Sequence, residues 1–138
     1  MQTFPGKDYY GRSVTGTNII ATLTPEGNDR LLLMAHWDTR AVADQDPLVS
    51  SQDKPIIGAD DGGSGVAVLL ELARQEALHP SGKAIDFAFF DLEDGGSSGD
   101  DSSWCQGSQY WSKHPHSLSY KPRWGILLDM VGAKEARF

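Results

Sequence analysis

The chain has 138 residues, 39% of them hydrophobic, with a formal net charge of −7 and a single cysteine. This size and apolar content predict one compact domain with its own core. Because Cys105 stands alone, an internal disulfide and a thiolate zinc cluster are excluded, and a bound metal would need histidine and carboxylate ligands. The acidic charge argues against nucleic acid or an anionic membrane as partner, and no apolar run is long enough to span a bilayer.

The first half of the chain begins with two short apolar segments. Residues 18–23 (NIIATL) and 31–35 (LLLMA) are predicted strands, and the polar segment 24–30 between them predicts an antiparallel hairpin. Residues 40–55 mix charge, proline and serine without periodicity, which predicts a long surface loop. Long loops often carry functional residues.

The second half alternates helical and apolar strand patterns. Residues 64–77 show apolar side chains at helical spacing, with Ser64 placed to cap the helix. Residues 84–91 and 124–130 are apolar runs of strand length, and the second has the composition of a central strand buried on both faces. Residues 107–114 predict a short helix between them. This order predicts an α/β sandwich whose later strands run parallel through crossover helices.

Candidate functional residues lie at the ends of the predicted strands. His36, Glu93 and Asp129 each follow a predicted strand or lie near its end, and Asp61 precedes the helix predicted to begin at Ser64. In an open α/β sheet the carboxyl ends of parallel strands share one edge, where ligands bind. We therefore expect these side chains to converge, although they are far apart in sequence.

Two of the polar motifs allow both a structural and a ligand-binding interpretation. Asp38 could accept the second ring N–H of His36 and fix its tautomer, as in many metal sites, or His36 could be an ordinary hydrogen-bonded residue. In the glycine-rich stretch GADDGGSG, Asp60 or Asp61 could complement the helix N-terminus or provide a ligand carboxylate.

The remaining motifs are carboxylates beside apolar strands. The stretch FFDLED places Asp91, Glu93 and Asp94 within four residues, and such crowding favours a cation or a tuned acid/base pair over a solvated acidic turn. Asp129 interrupts the apolar run GILLDMVGA. A charge in that position needs a partner, which could be a backbone N–H, a lysine, a metal or a substrate amine.

Taken in order, the stretches AHWD, GADDGGSGVAVLLELAR, FFDLED, WCQGSQYW and GILLDMVGA resemble the zinc aminopeptidase and glutaminyl cyclase superfamily. The likeness covers most of the chain from Thr17 onward and is closest to the animal-type glutaminyl cyclases also found in bacteria. That family converts N-terminal glutamine or glutamate into pyroglutamate. The resemblance implies a three-layer α/β/α sandwich with a mixed, mostly parallel sheet, and one catalytic domain over residues 1–138.

The resemblance also implies roles for individual residues. Asp61 and Asp94 match zinc ligands, although Asp94 stands where these families usually have glutamate. Glu93 matches the general base, and in the cyclases Asp129 matches a carboxylate near the substrate amine. In the aminopeptidases Asp129 and His36 hold a second zinc ion. The cyclase interpretation therefore implies one zinc and the aminopeptidase interpretation two.

The expected reaction is the zinc-dependent cyclisation of N-terminal glutamine, with peptide N-termini as substrates and ammonia as the second product. A zinc aminopeptidase and a non-catalytic scaffold are the alternatives. Since the family supplies a further histidine ligand from strands beyond Phe138, the chain is expected to be an incomplete catalytic domain that lacks its C-terminal half. The resemblance suggests a periplasmic or secreted protein, although residues 1–10 are too polar for a secretory signal.

Overall fold

The computed structural model of the chain describes residues 1–23 and 29–135, so most of the turn predicted at residues 24–30 lies outside the described residues. The strands are β1 Gln2–Lys7, β2 Ser13–Leu23, β3 Arg30–His36, β4 Ala84–Phe90 and β5 Trp124–Leu127. The α-helices are α1 Gly63–Leu78 and α2 Gln106–Lys113, and two short 3-10 helices cover Val49–Ser51 and Asp101–Ser103. The strands form one sheet in the order β1-β2-β4-β3-β5.

Strand β4 lies at the centre of this sheet. All of its residues are buried, and it pairs with β2 in the antiparallel sense and with β3 in the parallel sense. The hairpin predicted between residues 18–23 and 31–35 is therefore wrong, because β4 lies between those two strands. In the central position both faces of a strand are covered. Burial of the apolar β4 there removes more apolar surface from water than burial of the partly polar β2 would.

The two α-helices cover opposite faces of the sheet. Leu69 of α1 packs with Phe87 and Phe89, whereas Trp111 of α2 packs against Phe90 in a second cluster. Alternate side chains of a strand point to opposite faces, so β4 supplies both clusters. The predicted three-layer α/β/α sandwich with a mixed sheet is confirmed, and β3, β4 and β5 run parallel as expected.

Strand β5 differs from its prediction. It is only four residues long and all of them are exposed, with 63% of Trp124 and 52% of Ile126 accessible to solvent. The prediction of a central strand buried on both faces is therefore wrong for the residues described. Burial of a strand depends on the strands and layers beside it, and among the described strands only β3 pairs with β5.

The start of helix α1 also differs from its prediction. Its N-cap is Gly62, with φ of 82° and no side-chain cap. Ser64 instead donates its Oγ proton to the Asp60 carbonyl at 2.5 Å and accepts the Val131 N–H at 3.0 Å. Ser64 therefore joins the helix start to the segment after β5. No helix within the described ranges combines the length and the apolar character needed to cross a membrane.

Candidate metal and catalytic site

The three parallel strands bring the candidate residues to one edge of the sheet. His36 is the last residue of β3, Glu93 and Asp94 follow β4, and Asp129 follows β5. Asp61 comes from the loop that leads into α1. The convergence that the sequence predicted at the carboxyl ends of these strands is observed.

His36 lies at the centre of the cluster and is only 1% exposed. Its Nε2 atom lies 3.0 Å from Asp61 Oδ1 and 3.4 Å from Asp129 Oδ1. Its Nδ1 atom lies 3.6 Å from Asp38 Oδ1 and 4.0 Å from Asp94 Oδ2. Carboxylates therefore face both ring nitrogens of one buried histidine.

Asp38 fixes the turn that carries two of the acidic side chains. Its carboxylate accepts the backbone N–H of Glu93 and that of Asp94, each at 3.0 Å. Between β4 and these residues, Leu92 has a φ of 54°, in the left-handed region that non-glycine residues rarely adopt. The sequence indicated that Asp38 could orient His36, but their separation of 3.6 Å is too long for a hydrogen bond. No sequence pattern predicted that Asp38 would accept hydrogen bonds from the backbone of this turn.

Gly62 allows the loop before α1 to approach His36 closely. A Cβ atom at this position would collide with the carbonyl oxygen of Asp38 and would lie 3.3 Å from His36 Cε1. The φ of 82° is also one that glycine adopts without strain. Glycine at this position therefore lets the backbone place Asp61 beside the imidazole.

The neighbours Asp60 and Asp61 point to different partners. Asp60 Oδ1 accepts the N–H of Gly132 at 2.8 Å, which holds the segment that carries Asp129. Asp61 instead faces His36. The residue pattern alone left open which of the two aspartates is structural, whereas the resemblance implied that Asp61 is the ligand. In the structure it is Asp60 that holds a backbone segment and Asp61 that faces the imidazole.

The shifts in pKa at this cluster reflect burial and the crowding of negative charge. Burial raises the pKa of Glu93, and burial together with the charge of Asp61 raises the pKa of Asp94 to about 6. Burial lowers the pKa of His36, but Asp38 and the other nearby carboxylates outweigh it and raise that pKa to about 9. The cluster therefore favours binding of a proton or another cation.

Several buried polar atoms of the cluster lack hydrogen bonds. Within the residues described, both ring nitrogens of His36 and Oδ2 of Asp94 have no hydrogen-bond partner. Two sets of side chains, His36–Asp61–Asp94 and His36–Glu93–Asp129, each offer ligand atoms within 4.8 Å of one another. Unpaired buried polar groups are costly, and imidazole nitrogen and carboxylate oxygen are common zinc ligands. The side chains present therefore fit a zinc ion.

A cavity of about 480 Å³ opens beside the cluster. Its lining includes Asp61 and Asp94 together with Arg40, Asp44 and Trp104. This volume falls within the range of ~300–1,000 Å³ that is usual for sites that bind small molecules. The long loop predicted at residues 40–55 therefore forms part of the wall of a cavity.

Comparisons with known proteins show which proteins this chain resembles. Residues 18–138 match peptidase family M28. The glutaminyl-peptide cyclotransferase of Drosophila melanogaster is 31% identical over 128 residues, which cover 88% of this chain and 34% of that protein. The crystal structure of Porphyromonas gingivalis glutaminyl cyclase is 56% identical with a TM-score of 0.93, over 99% of this chain and 48% of that chain.

A further solved structure with high similarity is a Zn-dependent exopeptidase from Parabacteroides distasonis. It is 46% identical with a TM-score of 0.92, and the match covers 99% of this chain and 49% of that chain. The chain thus spans about half the length of these two solved proteins and about a third of the Drosophila relative.

Proposed function

The chain belongs to peptidase family M28, and from this premise we propose that the full-length protein is a glutaminyl cyclase. It closes the N-terminal glutamine of peptides into pyroglutamate and releases ammonia. The observation that carries the proposal is the buried His36. Its ring nitrogens have no hydrogen-bond partner among the described residues, and they face carboxylates beside a cavity. The 56% identity to the P. gingivalis glutaminyl cyclase supports cyclisation as the reaction.

Zinc is the proposed cofactor, held by Asp61 and Asp94, with His36 within reach of the same position. A bound zinc ion supplies Lewis-acid polarisation of the glutamine side-chain carbonyl. The turn that carries Asp94 is fixed by its backbone hydrogen bond to Asp38 at 3.0 Å, which restricts where this ligand can move.

Glu93 is the proposed general base. Its pKa is raised by burial, which makes the carboxylate a better proton acceptor near neutral pH. An α-amine has a pKa of ~8, so one well-placed carboxylate is sufficient to free its lone pair. As the amine nitrogen bonds to the side-chain carbonyl carbon, Glu93 takes a proton from that nitrogen. It then gives the proton to the departing amide nitrogen, which leaves as ammonia.

Asp129 is the proposed partner of the substrate α-amine. Its side chain is 43% exposed and its Oδ1 lies 3.4 Å from His36 Nε2, so it faces both the cluster and solvent. A carboxylate there can accept a hydrogen bond from the amine and orient its lone pair. The acidic surroundings also attract the amine end of a peptide to the site.

Aminopeptidase activity is the second candidate, and the sharing of His36 between two ligand sets favours it. In that arrangement His36 and Asp129 would hold a second zinc ion. Glu93 would deprotonate a water molecule that attacks the first peptide bond. The similarity to a Zn-dependent exopeptidase supports this candidate as well.

One experiment separates these candidates. The full-length gene product, supplied with zinc, is given one peptide that begins with glutamine and another that begins with leucine. We expect ammonia from the first peptide and no free leucine from the second. Free leucine would instead support the aminopeptidase. If neither ammonia nor leucine is released, the result supports a non-catalytic scaffold. Zinc content per chain gives an independent answer, with one ion expected for the cyclase and two for the aminopeptidase.

A further inference from the structure

The guanidinium group of Arg40 connects two segments that border the cavity. Its Nε and Nη2 atoms donate to the carboxylate of Asp44 at 3.0 and 2.6 Å. Its Nη1 atom donates to the backbone carbonyls of Asp94 and Gly96 at 2.8 and 2.7 Å. Only 13% of the Arg40 side chain is exposed, so these contacts are largely shielded from solvent.

Two aromatic rings add to these contacts. The guanidinium carbon of Arg40 lies 4.6 Å from the ring centroid of Tyr9 and 4.7 Å from that of Trp104. Both distances fall within the range of ~6 Å for a cation–π interaction. Trp104 also lines the cavity, so Arg40 fixes part of the cavity wall.

The turn after β4 is therefore held on two sides. Asp38 accepts the N–H groups of Glu93 and Asp94, and Arg40 donates to the carbonyls of Asp94 and Gly96. Hydrogen bonds on both sides restrict the backbone of this turn. The carboxylates that it carries are then restricted as well.

We infer that Arg40 is a positioning residue for the zinc site, acting through the Asp94 turn and through Trp104. Its planar fork satisfies one carboxylate and two carbonyls at once, which the ammonium group of a lysine cannot do with the same geometry. Outer-shell partners of metal ligands typically contribute ~10–100-fold in metal affinity or activity. This inference rests on the proposed zinc site and is independent of which reaction the site performs.

The test compares Arg40→Lys with the matched variant Arg12→Lys in the full-length gene product. Arg12 forms a similar pair with Asp8 at 2.7 Å and lies 5.0 Å from the ring centroid of Tyr10, but it does not line the cavity beside Asp61 and Asp94. Zinc affinity is measured by calorimetry at a temperature where circular dichroism shows each variant to be folded.

We expect Arg40→Lys to bind zinc about tenfold more weakly than wild type and Arg12→Lys to bind it normally. An Arg40→Lys variant that unfolds more easily but binds zinc like wild type would overturn the inference, because Arg40 would then only stabilise the fold. If this variant does not fold, Asp44→Asn replaces it, and unchanged zinc affinity in that variant would count equally against the inference. A wild-type protein that binds zinc but releases no ammonia would contradict the cyclase proposal alone.

Discussion

The Nε2 atom of His36 lies 3.0 Å from the Oδ1 atom of Asp61, yet the contact is not aligned as a hydrogen bond. The same nitrogen lies 3.4 Å from Asp129 Oδ1. Two carboxylates thus converge on one imidazole nitrogen, and a single hydrogen atom cannot be directed at both. A cation bound by Asp61 would balance part of this negative charge, and this geometry motivates the first prediction.

Asp61→Asn should greatly weaken zinc binding, because an amide oxygen carries no formal charge to balance the metal. We expect the loss to exceed the ~10–100-fold that is typical of outer-shell changes. Isothermal titration of zinc-free full-length protein with zinc measures it directly.

Asp60→Asn is the matched control, since Asp60 accepts the N–H of Gly132 through Oδ1 and an asparagine oxygen can do the same. This variant should bind zinc like wild type. Equal losses in the two variants would mean that the loop before α1 acts as a unit and that Asp61 is not a specific ligand.

Glu93→Gln should abolish most of the ammonia release from a peptide that begins with glutamine, while zinc binding is retained. A glutamine side chain keeps the shape of Glu93 but cannot accept and return a proton. General base catalysis is typically worth ~10²–10⁴-fold, and we expect a reduction in kcat within that range. The reduction is measured by coupling ammonia release to a spectrophotometric assay.

Glu71→Gln provides the control for this change, because Glu71 is an exposed residue of α1 that pairs with Arg74 at 2.7 Å. Its kcat should match that of wild type. If Glu93→Gln kept wild-type kcat, the proton would have to be moved by another group, and the assigned role would be wrong.

The parts of the fold that depend on local pattern were predictable. Helix α1 was expected at residues 64–77 and is observed at Gly63–Leu78, and β4 was expected at residues 84–91 and is observed at Ala84–Phe90. The convergence of His36, Asp61 and Asp129 followed from the rule that parallel strands share a carboxyl edge. A strand-end rule of this kind needs no knowledge of side-chain partners.

The features that depend on long-range pairing were not predictable. Strand β1 is short and largely polar, and it forms through pairing with β2 along its whole length. The position of β4 between β2 and β3 likewise depends on pairing between strands that are far apart in sequence. The roles of Asp38 and Arg40 could not be found from sequence either, because both side chains bind backbone atoms and backbone atoms are the same in every residue.

Gly62→Ala should destabilise the chain and also weaken zinc binding. Any side chain at a φ of 82° is strained by ~1–2 kcal/mol, and this methyl group would in addition collide with the Asp38 carbonyl and crowd His36. Chemical denaturation measures the first effect and zinc titration the second.

Gly82→Ala separates these two effects, because Gly82 has a φ of 75° but open space around the added methyl group. Gly82→Ala should lower the free energy of unfolding through backbone strain and should leave zinc affinity normal. If zinc affinity fell as much in Gly82→Ala as in Gly62→Ala, backbone strain anywhere in the chain would weaken the site. The close approach of Gly62 to His36 would then not be the cause of the weaker zinc binding.

Asp86 is a fully buried carboxylate on β4, outside the metal cluster. It accepts hydrogen bonds from Thr22 Oγ1 at 2.7 Å, from Arg30 Nε and Nη2 at 2.7 Å each, and from Tyr120 Oη at 2.8 Å. Burial tends to raise the pKa of Asp86, but the hydrogen bonds from Arg30, Thr22 and Tyr120 outweigh it, so the pKa is lowered. Its ionised form therefore stabilises the fold.

Asp86→Asn should lower the free energy of unfolding by about 3–5 kcal/mol at pH 7, because it removes the negative charge of the fully buried Asp86 from its ion pair with Arg30. Since the folded pKa is lowered, the stabilisation by Asp86 is present above its usual value of 3.8 and is lost as the pH falls through the folded value. Urea unfolding at pH 7 and at acid pH should therefore show that the difference in unfolding free energy between wild type and variant narrows in acid.

The exposed pair Asp29–Arg123 supplies the control, and Asp29→Asn should lower the free energy of unfolding by less than about 1 kcal/mol. A gap of the same size at both pH values would show that the cost comes from altered packing, and that the charge of Asp86 contributes little.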